Sequence, residues 1–458
     1  MKDFFMNPPY DRIEIIALGA GSREDLQKQV KDAAKQASGT AAIKQLGETS
    51  RRAFSENAPL RLLIADTVPG QIREKLQIAE NWLNGPETEA NPVPPEIFYG
   101  IRAPEGKLAF LFPGQGSQYV NMGRSLVTHF AEAGPIMEMA ETAFGRNPPL
   151  CAHLYPPETQ EKDEERSRQE ALRSTDVAQP AIGLVSRICL SVLARHGVLP
   201  AAAAGHSFGE LTALCAAKSL DEKDFLTLAA ARGRFMALAG KNSGESGQMM
   251  AVRAGAKQIE ELIRTHRADV VLANRNSPKQ QVLSGPRQAI EQMQEICKKN
   301  RIMARPLPVS AAFHSRLVMD AATPFQEMIA NTKFHRQQIP VYANTTALPY
   351  PDDPDAVRQL LGGHLLKPVD FINTVENMYA DEIRTFVEVG PGAVLSGLVR
   401  QILGARPHAA FSVDASAGRQ PAVLDMAQSL CRIAALGYPA QLHQWPSAGP
   451  DQALLPVC

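Results

Sequence analysis

Ser207 stands in the stretch GHSFGE, residues 205–210, and its neighbours decide what it can do. A G-x-S-x-G run is a nucleophile elbow, in which flanking glycines let a strand turn sharply into a helix with the serine oxygen exposed. The turn also sets Ser207 at a helix N-terminus, where free N–H groups and the dipole favour developing negative charge. The context AAAAGHSFGELTALCAAKSL, residues 201–220, supplies an apolar strand leading in and a helix-forming run leading out. The competing reading is a structural glycine turn. A nucleophile also needs a base and a site for the oxyanion.

Ten histidines are available as the base. His314, in VSAAFHS, stands where a strand is expected to end and another element's chain can reach the elbow. His206 adjoins Ser207, but neighbours in so sharp a turn point apart, so packing or hydrogen bonding suits it better. His129, His153, His196, His266, His335, His408 and His443 fall in expected surface helices or loops and read as solvated. FPGQGSQ, 112–118, by itself reads as a generic strand-to-turn connection. Arg232, in a helix, by itself reads as a solvated side chain.

The elements that must position these residues follow from the hydrophobic pattern. RIEIIAL, 12–18, and PLRLLIAD, 59–66, read as strands, each followed by a helix, the first with Ser22 and Asp25 as its capping pair. ALGAGS lacks the spacing and the later acidic residue of a dinucleotide fingerprint and reads as a plain turn. Residues 84–104, rich in proline and glutamate, read as a linker. The charged run QEKDEERSRQE reads as a solvated loop or helix face, and residues 177–195 as a buried helix. From Gln248 the order strand–helix–strand–strand–helix–strand is that of a ferredoxin-like lobe. Helix, strand (IPVYAN), helix, strand (TFVEVG) and helix then resume the larger unit. The expected fold is α/β: an α/β-hydrolase-like large lobe with an inserted ferredoxin-like small lobe, preceded by a small α/β domain. The expected boundaries are 1–104, 105–247, 248–308, 309–430 and 431–458.

Composition removes several functions. Lys plus Arg equals Asp plus Glu, 48 each, so nothing favours nucleic acid. No uninterrupted 18-residue apolar run argues for a membrane span. The N-terminus does not read as a signal peptide. The six cysteines are scattered, which fits a reducing, cytoplasmic setting. Neither HExxH nor paired CxxC occurs, so no metal is expected.

Eight stretches together carry a family resemblance: FPGQGSQ (112–118), TDVAQPAI (175–182), GHSFGE (205–210), ARGRFM (231–236), NRNSPKQQVLSG (274–285), FHS (313–315), KPVDF (367–371) and VEVGPG (387–392). In that order the chain resembles the malonyl-CoA:acyl carrier protein transacylase family, and more narrowly the acyltransferase domains of iterative polyketide synthases of enediyne or PUFA synthase type. The resemblance implies that Ser207 carries the acyl group as an ester and His314 is its general base, then acid. It places the oxyanion between the backbone N–H groups of Gln115 and Phe208. Arg232 would hold a free carboxylate on the acyl group through paired hydrogen bonds. Phe313 would crowd an α-methyl group and so favour malonyl, a discrimination of about 1–3 kcal/mol. His206 and His364 complete the residues expected around the substrate.

Two positions depart from the family's pattern. His364 stands where glutamine or asparagine is usual; it can steady His314 through its backbone carbonyl or through its ring, and the carbonyl is the expected route. Phe208 replaces a small aliphatic residue, and its ring is expected to narrow the entrance. The implied partners are malonyl-CoA as donor, an acyl carrier protein or carrier domain as acceptor, and a neighbouring ketosynthase domain, with no bound cofactor. The first 100 residues resemble a ketosynthase-to-acyltransferase linker and LGYPAQLHQW, 436–445, the strand-like linker after the acyltransferase. The alternatives are a serine hydrolase or thioesterase, with a triad acid between serine and histidine, and a non-catalytic scaffold.

Overall fold

Strand β1 (Ile13–Ala20) alternates its side chains between two apolar cores in the computed structural model. Ile13, Ile15 and Ala17 face the main core, and Ile16, Leu18 and Ala20 a local one, as the two-residue period requires when both faces are covered. The structure describes residues 13–446, apart from 69, 87, 89, 90, 102, 243–246 and 309–311. Helix α1 (Arg23–Gln36) is capped as expected: the Asp25 N–H donates to Ser22 Oγ at 3.1 Å. Then come α2 (Thr40–Ala53), β2 (Leu60–Thr67), α3 (Gly70–Asn84) and β3 (Phe98–Gly100), with an antiparallel sheet in the order β1-β2-β3. The expected strand–helix–strand–helix unit therefore gains a second helix and a third strand. β3 lies in the stretch read as linker; its prolines fall outside the three residues that pair with Arg61–Leu63.

The large lobe begins at β4 (Lys107–Phe112) and continues through α4 (Arg124–His129), α5 (Ala133–Phe144), α6 (Leu150–Leu154), α7 (Lys162–Arg173) and α8 (Thr175–Arg195). Next are β5 (Ala202–Gly205), α9 (Gly209–Ala216) and α10 (Glu222–Asn242). The charged run is α7, which buries only Leu172. α8 is apolar and long enough to cross a membrane by length and composition, yet most of it is buried inside the protein, as a core helix is.

The small lobe comprises β6 (Gly247–Val252), α11 (Ala256–His266), β7 (Val271–Ser277), β8 (Gln280–Pro286), α12 (Arg287–Lys299) and β9 (Ala304–Pro306). Its antiparallel order β7-β8-β6-β9 is the ferredoxin-like arrangement. The chain then returns through α13 (Met319–Ala330), β10 (Val341–Tyr342), α14 (Pro354–Gly362), β11 (Val369–Asp370), α15 (Phe371–Ala380), β12 (Ile383–Glu388), α16 (Val394–Leu403), β13 (Ala409–Ser412) and α17 (Ala422–Ala435). β11 joins the small-lobe sheet beside β7, so the segment just before it is held between the lobes. The large-lobe sheet is parallel, in the order β10-β5-β4-β12-β13. It shares the parallel strands and the elbow with the hydrolase-like expectation. Because β4 and β5 are neighbours, the loops leaving their carboxyl ends emerge side by side, the usual place for a site in such sheets. α17 packs on β1 and β2 and runs through residue 430, where the sequence places a boundary.

The C-terminal linker stretch forms a short 3-10 turn, Leu442–Gln444, rather than a strand. It seats Trp445, 2% exposed, against His129, Phe130 and His196. Both histidines are therefore buried, not solvated as the sequence suggests: His129 ends α4, His196 follows α8, and distant chain folds back over them. Cys189, Cys215, Cys297 and Cys431 are free and buried, whereas Cys151 is disulfide-bonded.

Burial, aided by Arg195, pushes the pKa of His129 down to about 4; burial also pushes His196 down to about 4. A depressed histidine pKa stabilises the fold fully above the ordinary value near 6.5, and that stability is lost as pH falls towards 4. Thermal unfolding at pH 7 and pH 4.5 should show the wild type losing about 5 °C more than the double variant His129→Leu/His196→Leu. Equal losses would mean that these rings carry no acid sensitivity.

Candidate active site

The elbow forms because two glycines let main chains touch. A Cβ on Gly205 would lie 1.9 Å from the Gly209 carbonyl carbon, and one on Gly209 would lie 2.0 Å from Phe112 O. Ser207 itself has φ of 52°, a left-handed conformation that costs a non-glycine residue about 1–2 kcal/mol. The turn is held from outside by Asn344, beyond β10. Its Oδ1 accepts the Ser207 N–H at 2.6 Å, and its Nδ2 donates to Gly205 O. Asn344 is in turn tied to Glu210, which accepts its N–H at 3.3 Å and also the Tyr350 hydroxyl. Burial raises the Glu210 carboxyl to about 7.

His314 faces the serine. Its Nε2 lies 2.9 Å from Ser207 Oγ, while Nδ1 lies 3.2 Å from His364 O and 2.9 Å from Lys367 O. Carbonyl oxygens only accept, so Nδ1 carries the proton and Nε2 presents its lone pair to the serine hydroxyl. Burial first, then the Arg232 charge, lowers the His314 pKa to about 3, so the ring is neutral across the physiological range. The expected route through the backbone at 364 is thus present, joined by a second carbonyl.

The loop after β4 lies directly against the elbow: a Cβ on Gly114 would meet His206 O at 2.4 Å and Phe208 N at 3.7 Å. Among the described residues, neither the Gln115 nor the Phe208 backbone N–H donates to a protein acceptor, while the Ser207 N–H is taken by Asn344. The Gln115 side chain is anchored on the TDVAQ stretch, donating to Thr175 Oγ1 at 3.2 Å and accepting from Gln179 at 3.5 Å.

Arg232 is 1% exposed, and its Nη2 lies 3.3 Å from Ser207 Oγ. No carboxylate lies within ion-pair distance of it among the described residues. Burial lowers its pKa to about 9, which leaves it charged at neutral pH. The solvated reading of an isolated helical arginine does not apply here.

The remaining candidates separate. Phe313 is buried beside the base, in the main core. His206 turns away from the serine, and its Nε2 bonds Asn276 of β7 at 2.7 Å, linking the two lobes. The Phe208 ring does not narrow an entrance: it is fully buried, close to Gly183 of α8, because the residue that caps the N-terminus of α9 points into the core. Sequence reasoning missed Asn344, Glu210 and Asn276. Each sits in a quoted stretch; Glu210 is local to the elbow, but its partner Asn344 arrives only through the pairing of β10 with β5, and Asn276 only from the other lobe. Among the described residues no group of three or more His, Cys, Asp or Glu is placed to hold a metal.

Comparison with known proteins agrees with this geometry. The acyl transferase domain family matches residues 109–428. The malonyl CoA-acyl carrier protein transacylase of Bacillus subtilis is 33% identical over 299 residues, 65% of this chain and 90% of that protein. The polyketide biosynthesis protein ThaF of Burkholderia thailandensis is 35% identical over 338 residues, covering 70% of this chain but only 27% of ThaF. The acyltransferase domain from module 8 of the salinomycin polyketide synthase shares the fold, with a TM-score of 0.78 and 22% identity over 94% of this chain and 98% of that one. With a serine elbow, a carbonyl-held histidine and a match over most of its length, the chain belongs to the acyl transferase domain family.

Proposed function

We propose that the protein moves a malonyl group from malonyl-CoA, through an ester on Ser207, to the phosphopantetheine thiol of an acyl carrier protein. The observation that carries this reading is the buried Arg232 guanidinium at 3.3 Å from Ser207 Oγ. A buried cation there is compensated when the acyl group brings a carboxylate. His314 Nε2 takes the hydroxyl proton as Ser207 Oγ attacks the thioester carbonyl. The resulting oxyanion lies between the Gln115 and Phe208 N–H groups. Collapse expels the CoA thiol, which leaves with the proton from His314. The carrier thiol then attacks the ester by the same steps in reverse order. Phe313 favours malonyl over its α-methyl homologue.

A hydrolase reading requires a triad acid behind the base. Two backbone carbonyls occupy that place. In the same reading, the N-terminal unit and the C-terminal turn are linkers within a larger synthase, next to a ketosynthase domain, and the synthase is of the enediyne or PUFA type that the ordered motifs resemble.

The test loads the protein with malonyl-CoA and follows the ester with and without an acyl carrier protein. Transfer to the carrier should outpace release to water by about a hundredfold or more, the scale on which a site built for one acceptor excludes another. Release to water that is as fast as transfer would make the protein a hydrolase.

A further inference from the structure

The segment from Leu361 to Lys367 makes two separate attachments to the site. Its backbone carbonyls at 364 and 367 hold His314, as described. Its one buried ring, His364, does something else. His364 Nε2 lies 3.2 Å from Arg232 Nη2, and His364 Nδ1 lies against Leu361 O. A guanidinium only donates and a carbonyl only accepts, so both nitrogens are assigned: Nδ1 bears the proton and Nε2 accepts from the arginine. We propose that the His364 side chain is a positioning residue for Arg232, fixing the guanidinium so that it can receive the donor's carboxylate beside Ser207.

The geometry leaves the arginine little alternative support. Nη2 has two hydrogens, one directed at Ser207 Oγ at 3.3 Å and the other at His364. Arg232 Nε has no protein acceptor among the described residues, and Phe208 offers only its ring, 6.0 Å from the guanidinium carbon. His364 is itself fixed by Leu361 O and by the Phe325 ring at 6.0 Å. Because the guanidinium is planar, holding Nη2 at two points sets the orientation of its remaining N–H groups. The ring therefore acts on substrate selection, and the backbone of the same residue acts on the base. This proposal rests on the reading of Arg232 as the carboxylate-binding group.

Steady-state loading of malonyl-CoA and acetyl-CoA onto the full chain should separate the two roles. His364→Leu keeps the backbone carbonyl but removes the acceptor; the KM for malonyl-CoA should rise about tenfold or more, with a much smaller change for acetyl-CoA. His364→Gln, whose side-chain oxygen can accept the same N–H, should return the malonyl KM to within about threefold of wild type. An equal loss for both donors in His364→Leu, or no recovery in His364→Gln, would overturn the proposal. If His364→Leu does not fold, His364→Glu decides: its carboxylate would pair with Arg232, and an undiminished malonyl preference would overturn the proposal equally. Wild-type protein that loads neither donor would instead reject the transferase reading itself.

Discussion

Ser207→Ala is expected to take up no malonyl group from malonyl-CoA, while wild-type protein gains one, as read by intact mass. Loading should fall by on the order of 10⁶-fold, the scale for deleting the nucleophile of a serine–histidine pair. The geometry leaves no substitute at that place. Ser207 Oγ is held by His314 at 2.9 Å and approached by Arg232 at 3.3 Å. The buried hydroxyls of Ser117 and Ser315 near by donate to Gly114 O and Ala312 O and are committed to their own turns. Alanine retains the N–H that Asn344 clamps and removes only the oxygen. The strained φ of 52° becomes no easier for alanine, so the fold should change little. Equal labelling of the alanine variant would place the nucleophile elsewhere and remove the basis of the proposed mechanism.

Which parts of this site were legible depended on the range of the interactions that build it. The elbow is local. Gly205, Ser207 and Gly209 announce a strand-to-helix turn because glycine alone tolerates the approach of Phe112 and of the helix's first turn. The ferredoxin-like lobe was legible for a similar reason, since its order of elements follows from local periodicity. The clamp on the elbow was not. Asn344 reaches Ser207 only because β10 pairs with β5 across nearly 140 residues of chain, and an asparagine after a strand carries no mark of that pairing. The same limit explains His129 and His196, whose burial is decided by Trp445 from the far end of the described chain. It also explains the Phe208 ring: the residue's type is visible, but the direction it takes from the first turn of α9 is not. β3 is a case of tertiary pairing overriding composition, because a three-residue edge strand needs only a partner such as β2.

Arg232→Ala should exchange the donor preference. Malonyl loading should fall about a hundredfold or more relative to acetyl loading, the scale for truncating one member of a buried, hydrogen-bonded charge pair. The guanidinium is 1% exposed, and burial already lowers its pKa to about 9, only partly offset by the Glu210 charge. A malonyl carboxylate compensates that buried cation, whereas an acetyl methyl leaves it uncompensated. Removing the cation therefore harms one donor and relieves the other. A second consequence comes through the base. After burial, the Arg232 charge is the largest influence holding His314 at about 3, and its removal must raise that pKa. A base whose pKa rises is protonated at higher pH, so the acidic limb of acetyl loading should move upward in the variant. The measurement is the pH profile of acetyl and malonyl loading for wild type and Arg232→Ala. Parallel losses for both donors, with an unmoved acidic limb, would make Arg232 a structural residue of α10. A reversed preference with a raised limb requires the guanidinium to act on both substrate and base, as its 3.3 Å distance from Ser207 Oγ and the effect of its charge on His314 imply.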